Sequence, residues 1–406
     1  MQSIISSLIA ILMALTQAFS ALAGFHQEKH IRNEDKPPNV FVGGWLSAGE
    51  RTGLWYLMPT FGITGNVPRM LEAQGYECYV TSPGSFNSNW DRACNLYAEL
   101  CGAQVDYGEA HAKAHGHARY GRDYQKPLVP DWSPERPINL LGHSLGGQTV
   151  YLFVHLMAEG SEEERAATAD GSLSPLFAGG QSDLIHSVTT LGGILNGTTA
   201  EPFFLGDWFG WFQLPFFCLG FSYVAQYTDF QDITSYIASG DHALYDMSPA
   251  GASEINMTAR TCGDIYYFSY VLNDTTRNEE TGYWEMAESN LTALPTGPVA
   301  WAMGNLMGSG QSRFEGQTYA YRGGTFTIDE AWWPNDGLAS VITAQYPFGE
   351  PHKAFDGSGI ERGTWQVMPT MEGYYHGFFG GFDFRYTPED LFAFYMEHFG
   401  VLDMTY

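Results

Sequence analysis

Pro137-Ile138-Asn139-Leu140-Leu141-Gly142-His143-Ser144-Leu145-Gly146-Gly147-Gln148-Thr149 passes from an apolar β-type run, through a turn holding glycines and one serine, into a stretch with helical spacing that lasts to Met157. A run this short and continuously apolar reads as a strand buried on both faces. The turn that follows is sharp only if glycine stands where side chains would collide, and it leaves the serine hydroxyl exposed at a helix N-terminus. The bare G-x-S-x-G pattern is weak in a chain with 47 glycines. Its place between a strand and a helix is the signal, and it makes Ser144 a candidate nucleophile, with a plain glycine-rich turn as the alternative.

Outward from this turn the same alternation repeats. Asn39-Val40-Phe41-Val42 and Glu77-Cys78-Tyr79-Val80 read as further strands, and Asn87 to Leu100 as a helix. Thr387-Pro388-Glu389-Asp390 is a helix start before Leu391 to Phe399. Such alternation predicts a mainly parallel sheet with helices on both faces. Stretches between 160 and 300 read as insertions, and no repeat or linker divides residues 24–406, so one domain is expected. The apolar run Ile4 to Phe19 ending in Ala21-Leu22-Ala23 predicts a signal peptide over 1–23, hence an exported protein. With 19 basic against 45 acidic side chains the formal net charge is −26, which argues against a nucleic-acid partner, since phosphates are bound through Lys and Arg. No obligate protein partner is inferred.

A serine attacks only when a base takes its proton, and an acid followed by a histidine is expected downstream. Among His352, His376 and His398, the last falls in the apolar terminal helix and the first in a charged loop. His376 follows the strand-like Gly363 to Met368 in a glycine-bearing aromatic loop and is the better base. Asp336, in the turn Asn335-Asp336-Gly337, is the candidate acid, with Asp329 behind it. Two backbone N–H groups must meet the developing oxyanion. Leu145, after the serine, and Trp45, after the paired glycines Gly43-Gly44, are placed to supply them.

Taken in order, Ser88-Asn89-Trp90-Asp91-Arg92-Ala93, Val105 to Gly108, His111 through Gly121, Gly142 to Thr149, Leu173 to Phe177, Ser187 to Leu191, Asn335 to Leu338 and Gly363 to Val367 resemble the secreted triacylglycerol lipases of the staphylococcal and thermophilic-bacillus type. The resemblance implies an α/β-hydrolase fold with a zinc-bearing insertion and a lid. It assigns Ser144, Asp336 and His376 to a triad that hydrolyses triacylglycerol esters at a lipid–water interface through an acyl-enzyme. A short-chain carboxylesterase is the alternative, as is a non-catalytic lipid-surface-binding relative, against which the intact triad argues. The resemblance also implies structural zinc on Asp91, His111, His117 and Asp241, although the spacing of the two histidines is not that of one helix face. For calcium it implies Asp383 together with an acid two residues after His376. That position is Phe378 here, which leaves the calcium site one carboxylate short.

Three further readings follow. Sequons at Asn196, Asn256, Asn273 and Asn290 predict a glycoprotein. Five cysteines, Cys78, Cys94, Cys101, Cys218 and Cys262, are too few for a disulfide scaffold, and Cys94 and Cys101, about two helical turns apart, are too distant to pair. The aromatic stretch Pro202 to Val224, with Asp207 its one charge and Gly206, Gly210, Pro215 and Gly220 breaking a helix, reads as a lid spanning about 201–226.

Overall fold

Short runs of residues with no exposed face set the architecture. The computed structural model describes residues 30–51, 61, 65–81, 83–168, 171–200, 238–293 and 296–406. The stretches read as signal peptide, 1–23, and as lid, 201–226, lie outside them, as does Cys218.

The central sheet holds β1 (Asn39–Val42), β2 (Cys78–Val80), β3 (Ile138–His143), β4 (Ile185–Leu191), β5 (Tyr266–Tyr270), β6 (His352–Ala354) and β7 (Trp365–Val367). Their order is β6-β7-β5-β4-β3-β1-β2, and every neighbouring pair is parallel. All four residues of β1 and all six of β3 are buried, the pattern of strands covered on both sides. Alternation along each strand then builds two cores. Val40, Val42, Leu140 and Val188 face a layer that includes Leu96, Val150 and Val154, whereas Phe41, Leu141 and Phe268 face Leu391, Phe394 and Phe399. A polar ladder fixes register at one end: Ser187 Oγ donates to Asn139 Oδ1 (2.7 Å), and Asn139 Nδ2 to Asn39 Oδ1 (2.9 Å).

Helices α1 (Asn89–Cys101) and α3 (Leu145–Glu159) pack on each other over the first face, and α4 (Pro388–Asp403) covers the second. Their ends follow from local chemistry. Ser88 accepts from the Asp91 N–H, Gly102 closes α1 in the left-handed region at φ 71°, and Thr387 with Asp390 forms a capping box. His352, expected in a loop, instead begins the edge strand β6, where alternating exposure leaves its polar residues solvated. The four described cysteines form no disulfide. No helix among the described residues is long and apolar enough to cross a membrane.

All four sequon asparagines are buried and use their amides inside. Asn196 Nδ2 donates to Tyr346 O (2.8 Å), Asn256 Nδ2 to Leu195 O (2.9 Å), Asn273 Nδ2 to Glu372 Oε2 (2.8 Å) and Asn290 Nδ2 to Asp274 Oδ2 (2.8 Å). A glycan on any of these amides would replace the bond it makes here.

Candidate active site and metal cluster

Ser144 stands between β3 and α3 with φ 59° and ψ −129°, a conformation that L side chains seldom adopt and that functional sites retain. The flanking glycines are required by space. A Cβ on Gly142 would meet Gly146 O at 2.4 Å, and one on Gly146 would meet Val42 O at 2.2 Å. The Ser144 N–H donates to Leu191 O (3.1 Å), which fixes the turn to the end of β4.

One residue on from Leu191, Gly192 lies under the acid–base pair, at 3.5 Å from Asp336 Oδ2 and His376 Nδ1 to its projected Cβ. His376 Nδ1 meets Asp336 Oδ2 at 2.9 Å, and the His376 backbone N–H donates to Asp336 O at 2.8 Å. Asp336 Oδ1 accepts from the backbone of Leu338 (3.0 Å) and Ala339 (2.7 Å), so both carboxylate oxygens are engaged. With Nδ1 as donor to a carboxylate, the His376 Nε2 is left as the basic atom. It is buried with no hydrogen-bond partner among the described residues.

Trp45 and Leu145 share an apolar cluster with Ile194, Ala243 and Ala339. Between their backbones, a Cβ on Gly44 would lie 2.7 Å from Ser144 Cβ and 3.0 Å from Leu145 N. Leu145 opens α3, where the first N–H groups have no intrahelical acceptor. The structure therefore gathers all five expected residues at the carboxyl ends of β1, β3 and β4. The other candidates lie apart. Asp329 caps a short helix by accepting from Ala331 N (3.0 Å), and His352 stacks on Tyr346 at 3.5 Å. His398 is buried between Thr189 and Tyr270, and burial pushes its imidazole down to about 3.

A second cluster joins α1 to the chain that follows it and to Asp241. Ligand atoms of Asp91, His111, His117 and Asp241 lie within 4.8 Å of one another. His111 is on α2 (Glu109–His115), and Gly116, at φ 76°, turns the chain so that His117 comes back to face it. His111 Nε2 is 3.3 Å from Asp241 Oδ2 and 3.4 Å from Asp91 Oδ1, and His117 Nε2 is 3.1 Å from Asp241 Oδ2. His117 Nδ1 donates to Ala118 O (2.9 Å), which leaves Nε2 as its ligating atom. Burial alone would lower His111, but Asp241 and Asp91 hold it up at about 10, and burial of Asp241 is outweighed by His111 and His117, which keep it well below the carboxylate range. The group is thus a set of donors gathered for positive charge, compatible with a structural metal.

Three residues complete these sites without having been singled out from the sequence. Arg92, fully buried, donates from Nε to Thr149 Oγ1 (2.8 Å) and from its two Nη atoms to Gly84 O and Gly43 O, which fixes the turn before Trp45. His143 is kept neutral by burial, near 3, and its Nε2 donates to His376 O (3.0 Å). Arg385 grips Asp383 with two donors, Nε to Oδ1 (2.9 Å) and Nη2 to Oδ2 (2.7 Å). That grip decides the calcium expectation. Both Asp383 oxygens are taken by a guanidinium, and Phe378 is buried against Phe379, Phe394 and Tyr386, so this donor set does not fit a calcium ion.

A family model described as "Lipase-like, C-terminal domain" matches residues 36–208 and 323–402. The chain belongs to this family. It is 32% identical over 378 residues to a lipase of Staphylococcus hyicus and 31% identical over 380 residues to lipase 2 of Staphylococcus aureus, each match covering 86% of this chain. Those matches cover 54% and 51% of the relatives, so the chain spans about half the length of the curated relatives it matches. Among solved structures, the Staphylococcus hyicus lipase superposes with a TM-score of 0.74 at 30% identity, covering 94% of this chain and 98% of that one. EstA from Clostridium botulinum gives 0.70 at 30% identity, covering 91% and 88%. The likeness to staphylococcal lipases read from the motifs thus extends over most of this lipase-like chain.

Proposed function

We propose that this lipase-like chain is a serine lipase that hydrolyses the ester bonds of triacylglycerols. The observation that carries the reading is the buried Asp336–His376 pair, 2.9 Å apart, set beside a serine held at positive φ. In this reading His376 Nε2 takes the Ser144 hydroxyl proton as Oγ bonds to the acyl carbon. Asp336 holds the imidazole tautomer and stabilises the imidazolium. The Trp45 and Leu145 N–H groups receive the negative charge of the tetrahedral oxygen. His376 then protonates the departing alkoxide, and a water, deprotonated by the same nitrogen, releases the fatty acid and restores Ser144. Ser144→Ala, assayed beside wild type on emulsified long-chain triglyceride and on soluble short-chain esters, should lose more than ~10³-fold in rate. A mutant at wild-type rate would sink the triad, and a wild type active only on soluble esters would make the chain a carboxylesterase.

We assign zinc to the Asp91, His111, His117 and Asp241 cluster. A tetrahedron with bonds of ~2.0 Å has edges of ~3.3 Å, and three of the six ligand separations, 3.1, 3.3 and 3.4 Å, lie near it, with all ligand atoms within 4.8 Å of one another. Four protein ligands leave no open position, so the ion's part is to tie α1 and α2 to the segment carrying Asp241, not to activate water. Residues 24–406 form one domain in this proposal, with 1–23 as an export signal and 201–226 as a lid. Activity that jumps as substrate passes from monomers to an emulsion supports the lid, and a flat hyperbolic dependence removes it.

A further inference from the structure

We propose that Arg385 is a positioning residue, a covalently attached cation that clamps the loop carrying Asp336 to the loop carrying His376 and makes calcium unnecessary there. This rests on the assignment of Asp336 and His376 above.

One side of the clamp runs to the acid. Arg385 Nη1 lies 3.0 Å from Asp274 Oδ2, and the backbone N–H of Asp274 donates to Asn335 O (3.0 Å), the residue before Asp336. Thr275 Oγ1 accepts from the Asn335 N–H (3.1 Å), so Asn335 is held from both its backbone groups by consecutive residues. The other side runs to the base. The same guanidinium grips Asp383, donates from Nη2 to Gly373 O (3.2 Å) and lies 4.8 Å over the ring of Tyr375, the residue before His376. Tyr375 is in turn fixed by its hydroxyl, which donates to Phe382 O and pairs with Thr296 Oγ1 at 2.8 Å.

The chemistry of the donors explains why a guanidinium serves. Asp274 and Asp383 are both buried, and two carboxylates in one low-dielectric site need a cation. A calcium ion would need six or more oxygens. Here one carboxylate is spread across the fork of Arg385, and the position two after His376 is an aromatic ring. A planar fork of five donors reaches four acceptors at angles that a spherical ion need not respect, and it stays charged at every working pH. Two loops distant in sequence are thereby held in one geometry, and a displacement of about 1 Å between acid and base is enough to cost ~10²-fold in rate.

The test uses the whole protein in buffer with fixed zinc, on a soluble short-chain ester. Wild type should contain no calcium by plasma emission, and kcat, melting temperature and calorimetric heat should stay flat as calcium is raised to millimolar levels. Arg385→Gln should lower kcat about tenfold to a hundredfold with KM within about twofold. Arg385→Lys, which keeps charge without the fork, should fall between. Stoichiometric calcium in wild type whose removal lowers kcat would overturn the proposal. So would a folded Arg385→Gln, judged by circular dichroism, with wild-type kcat. If Arg385→Gln fails to fold, the wild-type calcium titration and Arg385→Lys decide by the same criteria. Ser144→Ala run in parallel separates the readings: a mutant at wild-type rate refutes the site itself, whereas an inactive mutant beside a calcium-dependent wild type refutes only the clamp.

Discussion

Two buried carboxylate pairs in this molecule solve one electrostatic problem in different ways. In the metal cluster, Asp91 and Asp241 are faced by two imidazoles. Behind the acid–base pair, Asp274 and Asp383 are faced by Arg385. The imidazoles balance the first pair only when protonated or when a metal replaces the protons, so that cluster depends on pH and on metal supply. The guanidinium never titrates in the working range, so the second does not. The region nearest the reacting atoms is therefore the one whose cation is part of the chain. A structural ion can be lost without moving Asp336 or His376, and the two regions should fail under different insults.

Breaking the Asp91–Asp241 cluster should have the larger effect on stability. Asp241 touches both histidines, at 3.3 and 3.1 Å. Asp241→Asn removes a ligand and leaves the rest of the set with unbalanced charge, which should cost about 3–5 kcal/mol of folding free energy. Calorimetric melting should fall and zinc by plasma emission should drop below one per chain. The kcat of the folded fraction at low temperature should stay within about threefold of wild type, since no catalytic group is touched. A variant that keeps full zinc and its melting point would dissolve the contrast.

A pH series sharpens it. Metal-free, His111 sits at about 10 in the folded protein against an ordinary 6.5. A group raised on folding contributes stability that is fully present below its unfolded value and is lost as pH climbs through the folded one. Metal-free protein should therefore lose this contribution between about pH 6.5 and 10. The zinc form behaves oppositely, because zinc needs neutral imidazoles and is released as acid protonates them. The gap in melting temperature between zinc-loaded and metal-free protein should widen steadily as pH rises. No gap at any pH would mean that the four residues bind no metal, and a constant non-zero gap would mean that it is bound without displacing protons from the histidines.

How much of this was legible in the sequence depends on the reach of each interaction. The strand, turn and helix around Ser144 are decided within a dozen residues by apolar spacing and glycine placement, and they were readable. The assembly of Asp336 and His376 with it was readable only as chain order. His111 and His117 could not be paired by helical arithmetic, because Gly116 redirects the chain between them, so that cluster was visible only through resemblance. Arg385 and Asp274 are 111 residues apart and belong to no local pattern. The sequons carry no information about burial, and at Asn196 and Asn256 the amide satisfies backbone carbonyls inside.

The smallest expected effect probes how finely the Arg385 knot is balanced. Asn290 is fully buried, and its Nδ2 donates to Asp274 Oδ2 at 2.8 Å, the oxygen that also faces Arg385 Nη1 at 3.0 Å. Burial raises Asp274 above the ordinary carboxylate value, opposed by Arg385 and by this amide, so the donor from Asn290 helps to keep the carboxylate charged. Asn290→Ala should therefore cost about 1.5 kcal/mol, the worth of one hydrogen bond to a charged group, without touching the Asp383 side of the knot. Because Asn290 and Arg385 share an acceptor, their effects should not add. In a double-mutant cycle with Arg385→Lys, read by denaturant unfolding, a coupling of at least ~0.5 kcal/mol is expected. Intact-mass measurement of wild type and Asn290→Ala made in a glycosylating host should differ only by the side chain, because the amide is already engaged. Strict additivity would mean that Asn290 and Arg385 act on Asp274 separately, and a glycan mass on the folded wild type that is absent from Asn290→Ala would show that Asn290 does not hold Asp274 at all.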